Sequence, residues 1–123
     1  MKITRLLHSS LLVSDLARAR AFYEGALGLR PNANRPDLGY PGAWYDLGAQ
    51  QIHLMVLPNP DPSEGRPSHG GRDRHVALAV DDIAALKAAL EARGVDYTMS
   101  KSGRAALFCR DPDGNALEFV ETA

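Results

Sequence analysis

Two stretches of this sequence read almost alike. Residues 8–16 (HSSLLVSDL) and 75–83 (HVALAVDDI) both fit H-x-x-L-x-V-x-D-[LI]. A helical pattern follows each and stops at a glycine, Gly28 in the first and Gly94 in the second. Each half then closes on a short apolar strand, QIHLMV at 51–56 and ALEFVE at 116–121. Landmarks repeated in the same order at nearly the same spacing describe two copies of one supersecondary module. In the first helix, Leu16, Ala19, Phe22, Tyr23, Ala26 and Leu27 recur at helical spacing behind Ser14 or Asp15 as N-cap. In the second, Ile83, Leu86, Ala89 and Leu90 form the stripe behind Asp81 or Asp82. Strands are expected at 4–13, 29–34, 42–57 with a break near Gly48, 74–80, 95–99 and 104–121. The last is interrupted by Asp111-Pro112-Asp113-Gly114-Asn115, a strong turn signal. Each half therefore reads β-α-β-β-β. The expected fold class is α+β, a single domain over 1–123 whose two βαβββ modules form a metal-binding cleft. The modules span about 1–57 and 75–123, and the linker at about 58–74 should be stiff where proline-rich and loose at Gly70-Gly71.

Composition narrows the function classes. A chain of 123 residues, 45% hydrophobic and 24% charged, is one ordinary globular domain. Fourteen basic against 15 acidic residues leave a net charge of −1, which supplies no basic field for nucleic acid. No apolar run is long enough to span a membrane, and the N-terminus lacks the pattern of a signal peptide. With Cys109 as the single cysteine no intrachain disulfide can form, so a reducing cytoplasm is the expected compartment.

Strand alternation sorts the polar residues into faces. His75 lies opposite Val76, Leu78 and Val80; Glu118 lies opposite Leu117 and Phe119. His53 lies opposite Ile52, Leu54 and Val56, and His8 opposite Leu7, Leu11 and Val13. The four also hold equivalent places in the repeat, His8 matching His75 and His53 matching Glu118. If the modules pair sheet to sheet, His8, His53, His75 and Glu118 converge, and three imidazoles with a carboxylate suit a borderline divalent ion such as zinc, nickel, iron, manganese or cobalt.

The residues His8 with Val13-x-Asp15-Leu16, Ala21-Phe22-Tyr23 with Leu27-Gly28, Ile52-His53-Leu54, His75 with Val80-x-Asp82, and Asp111-Pro112-Asp113-Gly114-Asn115 leading to Glu118 carry a resemblance. Over nearly its whole length the chain resembles the vicinal oxygen chelate superfamily, which includes glyoxalase I, epimerases, thiol transferases, bleomycin-resistance proteins and dioxygenases. The resemblance implies metal positions at His8, His53, His75 and Glu118, with Glu118 as the candidate catalytic base. Glyoxalase I usually has Glu or Gln where this chain has His53; Gln51 is the nearby amide that could compete with it. The resemblance further implies a metal-dependent isomerase or lyase acting on a small oxygen-chelating substrate, and a homodimer. Alternatives are a non-haem iron or manganese dioxygenase using His8, His75 and Glu118, or a bleomycin- or fosfomycin-resistance-like binding or thiol-transfer protein.

Other residues carry weaker signals. Lys101, Ser102 and Arg104 could bind an anionic substrate group or form a solvated loop, and His53 in place of a carboxylate also favours an anionic substrate. Trp44, Tyr40 and Tyr45 divide between sheet packing and pocket lining. His69, Arg72 and Arg74 are expected to be solvent-exposed in the linker, and Cys109 to be a small buried hydrophobe.

Overall fold

In the first half of the chain, β1 (His8–Val13) leads into α1 (Leu16–Arg20), followed by β2 (Gly42–Leu47) and β3 (Gln50–Val56). The sheet order is β1-β3-β2, with β1 parallel to β3 and β2 antiparallel to it. Asp15 is the N-cap of α1; its carboxylate accepts the Arg18 N–H at 3.1 Å. After Arg20 the helix widens into a π-helical turn over Ala21–Ala26, in which Leu27 N–H reaches back to the Phe22 carbonyl at 3.0 Å. Within that turn the consecutive residues Phe22 and Tyr23 are both buried, at 5% and 0% exposure. Helical spacing alone gives no sign of the wider turn.

The strand expected at 29–34 is absent. Pro31 makes one isolated bridge to Tyr45, and Asn32 N–H donates to the Trp44 carbonyl at 2.7 Å. Pro31 and Pro36 bring no N–H to a ladder, and Asn32 folds its own side chain onto the Asn34 N–H at 2.8 Å. The first module is therefore β-α-β-β. Its first strand also begins at His8 rather than near residue 4.

The second half keeps four strands. After a short 3-10 turn at Gly70–Arg72 come β4 (His75–Val80), α2 (Ile83–Ala92), β5 (Tyr97–Met99), β6 (Ala106–Arg110) and β7 (Ala116–Glu121). Their order is β4-β7-β6-β5, with β4 parallel to β7 and the other pairs antiparallel. Asp82, not Asp81, caps α2 by accepting from Ala85 N–H at 3.0 Å. Gly28 and Gly94 follow the two helices at φ +71° and +67°, a region that side chains with a Cβ rarely enter. In the turn between β6 and β7, one Asp111 oxygen accepts the N–H groups of Asp113 and Asn115, each at 2.9 Å.

This computed structural model describes residues 1–122, and the chain divides into two compact units at Asn59 and Pro60. The end of the second expected module, residue 123, lies outside the described residues. The linker expected to be loose belongs to the second unit and is tied down there. Asp73 receives Arg66 at 3.0 Å and Arg110 at 2.8 Å, while Arg110 also donates to the Pro67 carbonyl at 2.6 Å. Gly70 and Gly71 serve close approach rather than slack: a Cβ on Gly71 would meet His69 at 3.0 Å and Phe108 at 3.1 Å. No helix among the described residues is long and apolar enough to cross a membrane.

Both units set their polar residues by the same register. In the first, His8 stands opposite Gln51 and Ser10 opposite His53; in the second, His75 stands opposite Ala116 and Ala77 opposite Glu118. The residue two places after the strand-opening histidine faces His53 in one copy and Glu118 in the other. The repeat read from the sequence is thus a repeat of backbone address within each unit.

Candidate functional site

In the first unit the residues sharing a face with His8 are Trp44 and Asp46 from β2 and Gln51 and His53 from β3. His53 is sandwiched between two rings. Trp44 stacks on it at 4.2 Å between centroids and 7° between planes, and His8 at 4.0 Å and 15°. His53 is buried; loss of water holds its pKa below the ordinary imidazole range, and the nearby His8 and Arg35 push the same way.

A hydrogen-bond chain fixes which His53 nitrogen carries its proton. Asn32 donates to Asp46 at 3.1 Å, and the Gln51 amide nitrogen donates to Asp46 at 2.7 Å. Those two donors keep the Asp46 carboxyl below its usual range, Gln51 contributing more. The Gln51 carbonyl oxygen then faces His53 Nε2 at 2.8 Å, so Nε2 donates and the Nδ1 lone pair is left. Leu7, His8, Trp44, Gln51 and His53 line a cavity of about 500 Å³.

In the second unit His75 is oriented the opposite way. Its Nδ1 donates to the Asp73 backbone carbonyl at 2.8 Å, which leaves the Nε2 lone pair 3.7 Å from Glu118 Oε1. Glu118 is 5% exposed, and its Oε2 accepts from Arg104 Nη2 at 3.3 Å. Phe108, opposite Glu118 in the β6–β7 ladder, presents its ring edge-on to His75 at 5.3 Å. A cavity of about 340 Å³ is lined by His69, Arg72, His75, Lys101, Arg104 and Glu118 among others.

The chemistry of this donor set fits a divalent ion. His75 Nε2 and Glu118 Oε1 are separated by a distance that two bonds of about 2.0–2.2 Å can span. Holding the far nitrogen of a histidine on a carbonyl is how ligating imidazoles are oriented. In the first unit His8 and the Nδ1 of His53 are the imidazole nitrogens that could hold an ion. Among the described residues no group of three His, Cys, Asp or Glu side chains is gathered. His69 has both nitrogens engaged, Nδ1 accepting from Gly71 N–H at 3.0 Å and Nε2 donating to the Met99 carbonyl at 3.3 Å.

Of the aromatic residues weighed in the sequence, Tyr45 is core, with its hydroxyl donating to Glu24 at 2.9 Å, and Tyr40 lies under Arg35. Trp44 belongs to the site. Cys109 is buried, and burial, reinforced by Asp111, pushes its thiol up to about 12, so it has no thiolate for nucleophilic work. Sequence reasoning missed Asn32 and Asp46. The parity of Asp46 with Trp44 on one strand was the available signal.

Comparison with known proteins gives a consistent result. The sequence profile of the Glyoxalase/Bleomycin resistance protein/Dioxygenase superfamily matches residues 5–119. The lactoylglutathione lyase of Haemophilus influenzae is 35% identical over 128 residues, covering 95% of this chain and 92% of that protein. A crystal structure of a glyoxalase family protein from Bacillus anthracis superposes with a TM-score of 0.79 at 25% identity, over 100% of this chain and 98% of that one. An antibiotic-binding protein from Streptomyces shares the fold, with a TM-score of 0.69 at 24% identity over 100% and 99% of the two chains.

Proposed function

This chain belongs to the Glyoxalase/Bleomycin resistance protein/Dioxygenase superfamily, and from that premise we propose that it is a metal-dependent isomerase or lyase of the glyoxalase type. The observation that carries this reading is the pairing of a buried carboxylate, Glu118, with His75 Nε2 at 3.7 Å. His8, His53, His75 and Glu118 would hold the ion, which when bound supplies Lewis acidity to two neighbouring substrate oxygens. Glu118 Oε1 gives up its ligand role to take the carbon-bound proton and return it to the adjacent carbon, so the isomerisation balances without a co-reactant. Arg104 holds Oε2 and keeps the carboxylate oriented between the two transfers. The Asp73 carbonyl fixes the His75 ring, and the Phe108 ring packs edge-on against it.

The relatives named lactoylglutathione lyase suggest the first substrate to try, the adduct of glutathione with methylglyoxal. Turnover of that adduct by metal-loaded protein, lost in Glu118→Gln, supports the proposal. Turnover that survives Glu118→Gln contradicts the role of the base.

One observation favours a second reading. Stacked between Trp44 and His8, the buried His53 would stand beside the ion rather than on it, leaving His8, His75 and Glu118, a two-histidine, one-carboxylate arrangement found in iron oxygenases. His53→Ala separates the two: loss of metal favours the four-ligand isomerase, and retained metal with oxygen uptake on catechol-type substrates favours the dioxygenase. The proposal includes a homodimer whose sites draw on both chains. Co-refolding inactive His8→Ala with inactive Glu118→Ala protein should then restore part of the activity. Heterodimers without recovery would place each site within one chain.

A further inference from the structure

Four cations of the second unit are ion-paired with an acid. Arg66 and Arg110 share Asp73, Arg74 pairs with Asp61, and Arg104 with Glu118. Arg72 and Lys101 are not so paired, and they stand together at one cavity. Among the described residues neither side chain makes an ion pair or a hydrogen bond, and both line the 340 Å³ cavity beside Glu118. Arg104 already pairs with Glu118, so Arg72 and Lys101 leave two positive charges without an acid partner on the concave wall.

The two segments bearing these charges are anchored to one another. Arg72 closes the 3-10 turn, with its N–H on the His69 carbonyl at 3.0 Å, and the His69 ring donates to the carbonyl of Met99 at the end of β5. The loop that follows is cross-linked internally: Ser100 and Ser102 hydroxyls meet at 2.7 Å, and Ser102 accepts from Arg104 Nε at 3.2 Å. Arg104 then reaches Glu118. One face of the cavity thus runs from unpaired cations to the carboxylate.

We propose that this cavity is an oxyanion subsite that grips a carboxylate or phosphate-type group of the substrate through Arg72 and Lys101. Arg72 offers a planar fork suited to two oxygens, and Lys101 a point charge. The substrate class is then a small molecule carrying such a group at one end and the reacting carbons at the other, held over Glu118. The reactive end rests on the function proposed above; the subsite does not.

The test is a titration of the protein with inorganic phosphate and, separately, acetate, read by amide NMR at low ionic strength, where exposed charges are least screened. Saturable shifts confined to 69–72 and 100–104 are expected, weakened about tenfold by Arg72→Gln with Lys101→Gln together. Lys87→Gln, on α2, should leave the titration as in the parent. Preference for phosphate over acetate would identify a phosphate-type substrate, and the reverse a carboxylate. No saturable shift, or an unchanged titration in the double variant, overturns the subsite. Metal content, measured on the same samples, should stay at the parent level. Failure to bind metal alongside intact phosphate binding would count against the proposed function and leave the subsite standing.

Discussion

The two halves of this protein give one backbone address two different chemistries. In each unit the first strand opens with a histidine, and the residue two places later faces the polar residue of the last strand. In the first half that residue is His53, stacked between Trp44 and His8 and donating through Nε2. In the second it is Glu118, buried with a guanidinium on one oxygen, while His75 donates through Nδ1 and turns Nε2 toward the carboxylate. The difference comes from neighbours: Gln51 and Asp46 in one copy, Asp73 and Arg104 in the other. Duplication repeats where a side chain stands; hydrogen-bond partners decide what it can do there.

The comparison breaks most visibly in the core. Ile52 and Leu117, each one residue before the site residue, are 1% and 0% exposed. Ile52→Ala and Leu117→Ala should each cost about 2–5 kcal/mol in urea denaturation. A cost under about 1 kcal/mol at either position would show that the two addresses are not equivalently packed. Next come the helix caps. Asp15→Ala and Asp82→Ala should each lose about 1 kcal/mol, because each removes the carboxylate that accepts an orphan helix N–H.

A smaller effect separates the halves by pH, since Cys109 belongs to the second alone. Its folded thiol is raised from 9.0 to about 12, so the unfolded chain deprotonates first. Stability from this group is complete below pH 9 and falls as pH rises toward 12; Cys109→Ala should flatten that alkaline slope in thermal melts. The last effect changes no stability. Imidazole nitrogen NMR of the metal-free protein should show His53 as the Nε2–H tautomer and His75 as the Nδ1–H tautomer. The same tautomer at both would erase the contrast between the half-sites.

The repeat made the strand addresses of His8, His53, His75 and Glu118 legible, because alternation and spacing are properties of the chain itself. Its limits have equally particular causes. Proline at 31 and 36 removed a strand that the repeat led one to expect, and a π-helical turn follows α1 where the apolar stripe looks regular. Gly70 and Gly71 read as slack but are packing positions against Phe108, a contact between residues far apart in sequence. The tautomers of His53 and His75 depend on Gln51 and on a backbone carbonyl, which no pattern of residue types encodes. Arg104 was legible as a cation after a strand, whereas its place on Glu118 needed the β6–β7 pairing.

The central claim is that His75 and Glu118 help to hold a divalent ion. It is tested most directly by metal analysis of protein purified without chelators, alongside His75→Ala and Glu118→Ala. The expected result is a stoichiometric divalent metal in the parent and loss of most of it in both variants, with the fold kept by circular dichroism. Full stoichiometric metal in folded His75→Ala would contradict it.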